Sequence, residues 1–204
     1  MTKIKLCGMK RHCDIDYANE LMPDYIGFVF APKSKRYVTF DEAKKLRLRL
    51  NNGIIPVGVF VDETQQNIEI LVKQNIISVI QLHGSEDNEY IKKLHTKVDC
   101  PIIKAFHIES EYDIREAEKS EADFIMLDSG GGTGKAFKHS LIGKLDRDFF
   151  LAGGLDSENV YDAILTYQPY AVDASSSLET DGVKDKKKMA AFVEAVRYGK
   201  DENR

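Results

Sequence analysis

The chain has 204 residues, 43% of them apolar, and a formal net charge of −4. That length favours one large core over two small ones, and the mild acidity leaves no broad basic footprint for nucleic acid. Cys7, Cys13 and Cys100 are odd in number and lack zinc-ligand spacing, so neither a disulfide framework nor a metal site is expected. The apolar runs are strand-sized and Met1-Thr2-Lys3 carries no signal-peptide pattern, so the expectation is a soluble, cytoplasmic protein without membrane partners.

In chain order, short apolar runs alternate with segments of helical spacing. Ile4–Cys7 precedes a helix over His12–Leu21, Tyr25–Phe30 precedes Phe40–Leu50, Ile55–Val61 precedes Thr64–Lys73, and Ser78–Leu82 precedes Asn88–His95. The same pairing continues with Ile102–Ala105 and Glu109–Glu118, Phe124–Leu127 and Ser140–Leu145, Phe149–Leu151 and Ser157–Tyr167, and Ala171–Val172 and Lys186–Val196. Thr39 before Phe40-Asp41-Glu42, and Asp156-Ser157-Glu158 before Val160, are helix-start signals. Eight strand–helix pairs in 204 residues predict a single (β/α)8 TIM barrel, an α/β fold, over residues 1–204, with the tail after about 198 expected to fray. The run Lys184-Asp185-Lys186-Lys187-Lys188 is interrupted by its own acid and reads as a solvated helix start.

In this architecture, functional groups sit where strands end, because that face of the barrel is open. Cys7-Gly8, Gln81-Leu82-His83-Gly84, Asp128, Gly153-Gly154 and Asp173 to Ser177 all fall there. Alternation along a strand turns Lys5 and Cys7 inward and Ile4 and Leu6 outward. It likewise turns Gln81 with His83, and Met126 with Asp128, toward the barrel axis. Closure makes the first and last strands neighbours, which predicts a buried ion pair between Lys5 and Asp173.

Gly153-Gly154 before a helix start, with Ser175-Ser176-Ser177 after the last strand, forms a candidate phosphate cradle of bare amides and hydroxyls. Gly130 to Gly134 is also glycine-rich. Lys135 is followed by Ala136 rather than Ser or Thr, so this segment does not read as a nucleotide loop.

Taken in order, Lys3-Ile4-Lys5-Leu6-Cys7-Gly8-Met9, Gly27-Phe28-Val29-Phe30 with Lys33 to Val38, Gln81-Leu82-His83-Gly84, Leu127-Asp128 with Gly131 to Phe137, Leu151 to Leu155, and Val172 to Ser176 resemble the N-(5'-phosphoribosyl)anthranilate isomerase family of tryptophan biosynthesis. The resemblance runs nearly from end to end. It implies an Amadori rearrangement of a small phosphosugar substrate without cofactor or metal, carried out by a monomer or homodimer. It further implies Asp128 as general acid, Cys7 as general base, Arg36 on the anthranilate carboxylate, and Gly153, Gly154, Ser175, Ser176 and Ser177 on the phosphate. Gln81, His83, Asp173 and Lys5 become lining or supporting groups, Gly132, Thr133 and Gly134 a loop cover, and Cys13 and Cys100 packing residues. Where the family commonly has glycine this chain has Ser177, which puts the loop geometry in question if that position needs a positive φ. A binding protein that keeps the phosphate site without catalysis is the reading from another class; intact Cys7 and Asp128 disfavour it.

Overall fold

Eight parallel strands close into one barrel in sequence order: β1 (Lys3–Cys7), β2 (Tyr25–Val29), β3 (Ile55–Phe60), β4 (Val79–Leu82), β5 (Ile102–His107), β6 (Phe124–Asp128), β7 (Phe149–Ala152) and β8 (Ala171–Ala174). The computed structural model describes residues 1–128 and 145–199. Gly132, Thr133 and Gly134 of the expected cover, residues 140–144 of the expected sixth helix, and residues 200–204 of the expected frayed tail lie outside the described residues.

Seven helices surround the barrel among the described residues: α1 (His12–Leu21), α2 (Phe40–Arg49), α3 (Gln65–Lys73), α4 (Asn88–His95), α5 (Glu111–Glu118), α6 (Val160–Tyr167) and α7 (Lys186–Tyr198). Local chemistry sets where they start. At α2, the Thr39 hydroxyl accepts from the Glu42 amide at 3.2 Å while the Glu42 carboxylate accepts from the Thr39 amide at 2.7 Å. A reciprocal cap of this kind is worth about 1 kcal/mol. The helix expected from Ser157 begins only at Val160. Asp156 Oδ1 accepts from the amides of Glu158 and Asn159, and Asn159 Oδ1 accepts from the Asp156 amide, which holds this stretch as a loop.

A closed parallel sheet is buried on both faces, and the two faces here have different tasks. Ile4, Leu6, Ile26, Phe28, Ile80, Leu82, Ile125 and Leu127 point outward into the layer shared with the helices. Tyr25, Val57, Val79, Ile103, Met126, Phe150 and Ala171 fill the interior as a separate cluster, and Cys7 with Val29 and Val59 forms the layer above it. The strict period of two therefore decides that Lys5, Cys7, Gln81 and Asp128 face the axis.

Two features after β8 were not expected. A single turn of 3-10 helix covers Ser176–Leu178, and β9 (Glu179–Thr180) pairs antiparallel with β10 (Val183–Lys184). Asp181 and Gly182 join those strands with φ of 51° and 76°, the pair of left-handed residues that a tight two-residue hairpin requires.

Candidate active site

The C-terminal ends of the strands enclose a cavity of about 310 Å³. Its wall includes Cys7, Arg36, Gln81, His83, Asp128, Gly153, Gly154, Asp173 and Ser175 to Ser177, together with the apolar side chains of Val29, Val59 and Leu155. Among the described candidates, only Lys5 is absent from the wall. It lies beneath the floor, fully buried, with its Nζ 2.8 Å from Asp173 Oδ1, so the expected pair across β1 and β8 is present. Their backbone register, Lys5 opposite Asp173, puts the two side chains on the same interior face.

Cys7 ends β1 directly opposite Gly27 of β2, and the missing side chain there makes room for the sulfur. A Cβ built at Gly27 would lie 2.6 Å from Cys7 Sγ. Burial pushes the Cys7 thiol above its ordinary value, and Asp173 adds to that; Lys5 and Lys184 pull the other way without overcoming it. Burial also works against the Lys5 ammonium, but Asp173 and Cys7 outweigh it and hold the ammonium above its ordinary value. The cation that the thiolate needs is present, yet the floor is dry enough to favour the thiol.

Asp128 ends β6, three strands from Cys7 around the barrel through β8 and β7. His83 Nε2 lies 3.4 Å from Asp128 Oδ2, and His83 Nδ1 lies 3.1 Å from Gln81 Nε2. The Gln81 amide nitrogen also meets Met126 Sδ at 3.3 Å, so two acceptors face it. With Gln81 donating to Nδ1, the imidazole carries its proton on Nε2, toward Asp128. Gln81 and His83 thus form a polar chain that ends at Asp128.

The loops after β7 and β8 meet at the other end of the cavity. Gly153 and Gly154 have φ of 93° and 69°, conformations that suit glycine and leave the turn bare of side chains. The helix that follows starts six residues beyond Gly154, so the expected helix N-terminus does not directly abut the glycines. Ser177 answers the question raised by its departure from the family's glycine. It sits in the 3-10 turn without positive φ, and its hydroxyl donates to the Leu155 carbonyl at 2.5 Å, tying one loop to the other. Ser175 Oγ donates to the Cys7 carbonyl at 3.1 Å, which connects the same loop to β1.

Arg36 reaches the cavity from the loop after β2. Its stem crosses Gly8, whose φ of 84° and lack of a side chain permit the approach; a Cβ there would fall on Arg36 Cδ. The guanidinium is paired with Glu179, Nε to Oε1 at 2.5 Å and Nη2 to Oε2 at 2.9 Å. Glu179 in turn accepts from Lys184 Nζ at 2.7 Å, and the same ammonium donates to the Ser175 carbonyl at 2.8 Å. The solvated reading of the Lys184 run is therefore wrong at its first residue: Lys184 is 4% exposed, because β10 turns it under the loop after β8. Lys184 and Glu179 are the polar groups the sequence reading missed. The Asp181-Gly182 turn signal between Thr180 and Val183 was the clue to the hairpin that carries them. Cys13 and Cys100 are half-buried and away from this wall, and burial raises the Cys100 thiol to about 11.

Known proteins are similar to this chain in sequence and in fold. A family model described as N-(5'-phosphoribosyl)anthranilate (PRA) isomerase matches residues 4–195. The chain is 40% identical to the N-(5'-phosphoribosyl)anthranilate isomerase of Endomicrobium trichonymphae over 97% of its own length and 99% of the relative's. It is 41% identical to that of Thermoanaerobacter sp. (strain X514), with coverage of 97% and 98%. Among solved structures, phosphoribosyl anthranilate isomerase from Thermotoga maritima superposes with a TM-score of 0.88 at 35% identity, covering 95% of this chain and 98% of that one. A phosphoribosyl anthranilate isomerase bound to reduced 1-(o-carboxyphenylamino)-1-deoxyribulose 5-phosphate gives 0.85 at 34% identity, covering 95% and 97%. Monomers generated from the dimeric T. maritima isomerase give 0.80 at 32%, covering 95% and 97%.

Proposed function

This chain belongs to the N-(5'-phosphoribosyl)anthranilate isomerase family, and on that premise we propose how its own residues perform the Amadori rearrangement in tryptophan biosynthesis. The substrate is N-(5'-phosphoribosyl)anthranilate and the product 1-(2-carboxyphenylamino)-1-deoxyribulose 5-phosphate. Asp128 protonates the furanose ring oxygen, the C1–O bond breaks, and the nitrogen lone pair moves in to give a Schiff base. The Cys7 thiolate then removes the proton from C2, and the released electron pair forms the enolamine, which tautomerises to the ketone. After the first step, the Nε2 proton of His83 faces the new Asp128 carboxylate and stabilises it. Arg36 takes the anthranilate carboxylate, and the turn at Gly153-Gly154 with Ser175, Ser176 and Ser177 takes the phosphate. Residues 1–204 act as one barrel domain. Its operation on a phosphorylated intracellular metabolite supports a cytoplasmic location, and the dimeric relative leaves monomer or homodimer as the assembly.

One observation carries this reading: Cys7, Asp128 and Arg36, from β1, β6 and the loop after β2, line the same cavity as the two loops assigned to phosphate. The test is loss of phosphoribosylanthranilate fluorescence, with Cys7→Ala and Asp128→Asn beside the parent. Each variant is expected to lose at least about a hundredfold in turnover, the usual contribution of a positioned proton-transfer group. Full turnover in both would refute the assignment, and no turnover by the parent would leave a phosphosugar-binding protein.

A further inference from the structure

An arginine can grip a carboxylate in a defined pose only if its own plane is fixed, and here something other than the substrate fixes it. Glu179 occupies the Nε–Nη2 edge of Arg36 with both carboxylate oxygens. A guanidinium has a second bidentate edge, formed by Nη1 and the remaining proton of Nη2. Among the described residues, Nη1 makes no hydrogen bond, although Arg36 lines the cavity. Glu179 is itself held: its side chain is 11% exposed and accepts from Lys184, whose side chain is 1% exposed and which also donates to the carbonyl and hydroxyl oxygens of Ser175. Arg36, Glu179 and Lys184 thus form a cation–anion–cation chain, which continues through Ser175 to the Cys7 carbonyl.

We propose that Glu179 is the positioning residue that fixes the guanidinium of Arg36 so that its Nη1–Nη2 edge receives the substrate's carboxylate, with Lys184 anchoring Glu179 to the loop after β8. This inference rests on the reading of Arg36 as the carboxylate ligand. Glu179 touches no substrate atom. It acts by removing the conformational freedom of a long side chain before binding, and an unpaired arginine would have to give up that freedom on every encounter. Lys184 makes a buried acid tolerable, since a lone carboxylate beneath the loop would be costly.

The test separates this role from a structural one. The full-length protein is titrated calorimetrically with reduced 1-(2-carboxyphenylamino)-1-deoxyribulose 5-phosphate and with the same compound lacking the ring carboxylate. The parent prefers the carboxylated ligand, and Arg36→Ala abolishes the preference. Glu179→Gln weakens the carboxylated ligand about tenfold, the cost of ordering one such side chain, and leaves the other ligand within about twofold. Should Glu179→Gln strand Lys184 and impair folding, Glu179→Gln/Lys184→Met removes the pair together and is read the same way. If Arg36→Ala retains the preference, the carboxylate assignment itself fails. If Arg36→Ala loses it while the Glu179 variants bind both ligands as the parent does, or weaken both equally, the positioning role is overturned.

Discussion

Gly27→Ala adds one methyl group beside Cys7. The new Cβ would lie 2.6 Å from Cys7 Sγ, 3.2 Å from its Cα and 3.3 Å from its Cβ. Carbon–sulfur contact is comfortable about 1 Å farther out, so the sulfur must give way by roughly that distance. Rotating Cys7 about χ1 carries the sulfur off its present position, but the contacts to Cα and Cβ remain and the strand must still yield. Overpacking of this kind costs about 1–3 kcal/mol of stability. Displacing a reacting group by about 1 Å costs on the order of a hundredfold in rate. Urea unfolding and fluorescence turnover measure the two effects separately. The decisive control is Cys7→Ala/Gly27→Ala: without the sulfur the 2.6 Å clash is gone and only the contacts to Cα and Cβ remain, so the second substitution should cost less stability in that background. The coupling in this double-mutant cycle is expected to be at least about 1 kcal/mol. Additive stabilities, or parental turnover in Gly27→Ala, would refute the account of why glycine stands opposite Cys7.

Further outcomes follow from the charges under the cavity. Because burial holds the Cys7 thiol above its ordinary value, ultraviolet thiolate absorbance, read against Cys7→Ser, should appear at higher pH than for a free thiol, and Lys5→Met should shift that rise further alkaline by removing the nearest cation. An unchanged thiolate titration in Lys5→Met would refute the coupling between Lys5 and the thiol. Asp173→Asn leaves the fully buried Lys5 ammonium without its partner at 2.8 Å and should cost about 3 kcal/mol, read as a lower urea midpoint at unchanged slope. Since the Lys5 value is raised in the fold, the pair's contribution is fully present below 10.5 and is lost as pH rises through the folded value, so parent and variant should converge only in strongly alkaline solution.

Side-chain alternation in β1, β4 and β6 was legible because a closed parallel sheet imposes a strict period of two. Lys5, Cys7, Gln81 and Asp128 could therefore be assigned to one face from the chain alone. The Lys5–Asp173 contact followed from closure, since a barrel makes its first and last strands neighbours. Element ends were less legible. Asp156 and Asn159 look like helix-start residues but spend their side chains on the loop, delaying α6 to Val160. Lys184 was misread because a charge run on a solvated helix and a lysine folded under a hairpin have the same local composition. Only the Asp181-Gly182 turn, which reverses the chain before α7, separates Lys184 from the exposed lysines that follow. For Arg36, sequence shows the cation in its loop, but its partner Glu179 is 143 residues away and no local pattern links the two.

The charges around the thiol carry one more consequence. Lys5, Lys184 and Arg36 are three cations, while Asp173 and Glu179 supply two carboxylates, so the group has one positive charge to spare when Cys7 is protonated. A thiolate at Cys7 would neutralise that excess, and so would a substrate carboxylate taken by Arg36 in the proposed pose. The two compete for the same charge through a dry interior where screening is weak. Binding the carboxylated product analogue should therefore move the Cys7 thiol further up, whereas the analogue without the carboxylate should move it less. Ultraviolet thiolate absorbance followed against pH in each complex, with Cys7→Ser as the blank, reads the difference directly. Equal shifts in the two complexes would mean that Glu179 and Lys184 insulate Cys7 from Arg36. A larger shift with the carboxylated ligand would make the carboxylate a brake on the base as well as a handle for the substrate. In that case Glu179, which already neutralises part of the Arg36 charge, sets how strongly the brake acts.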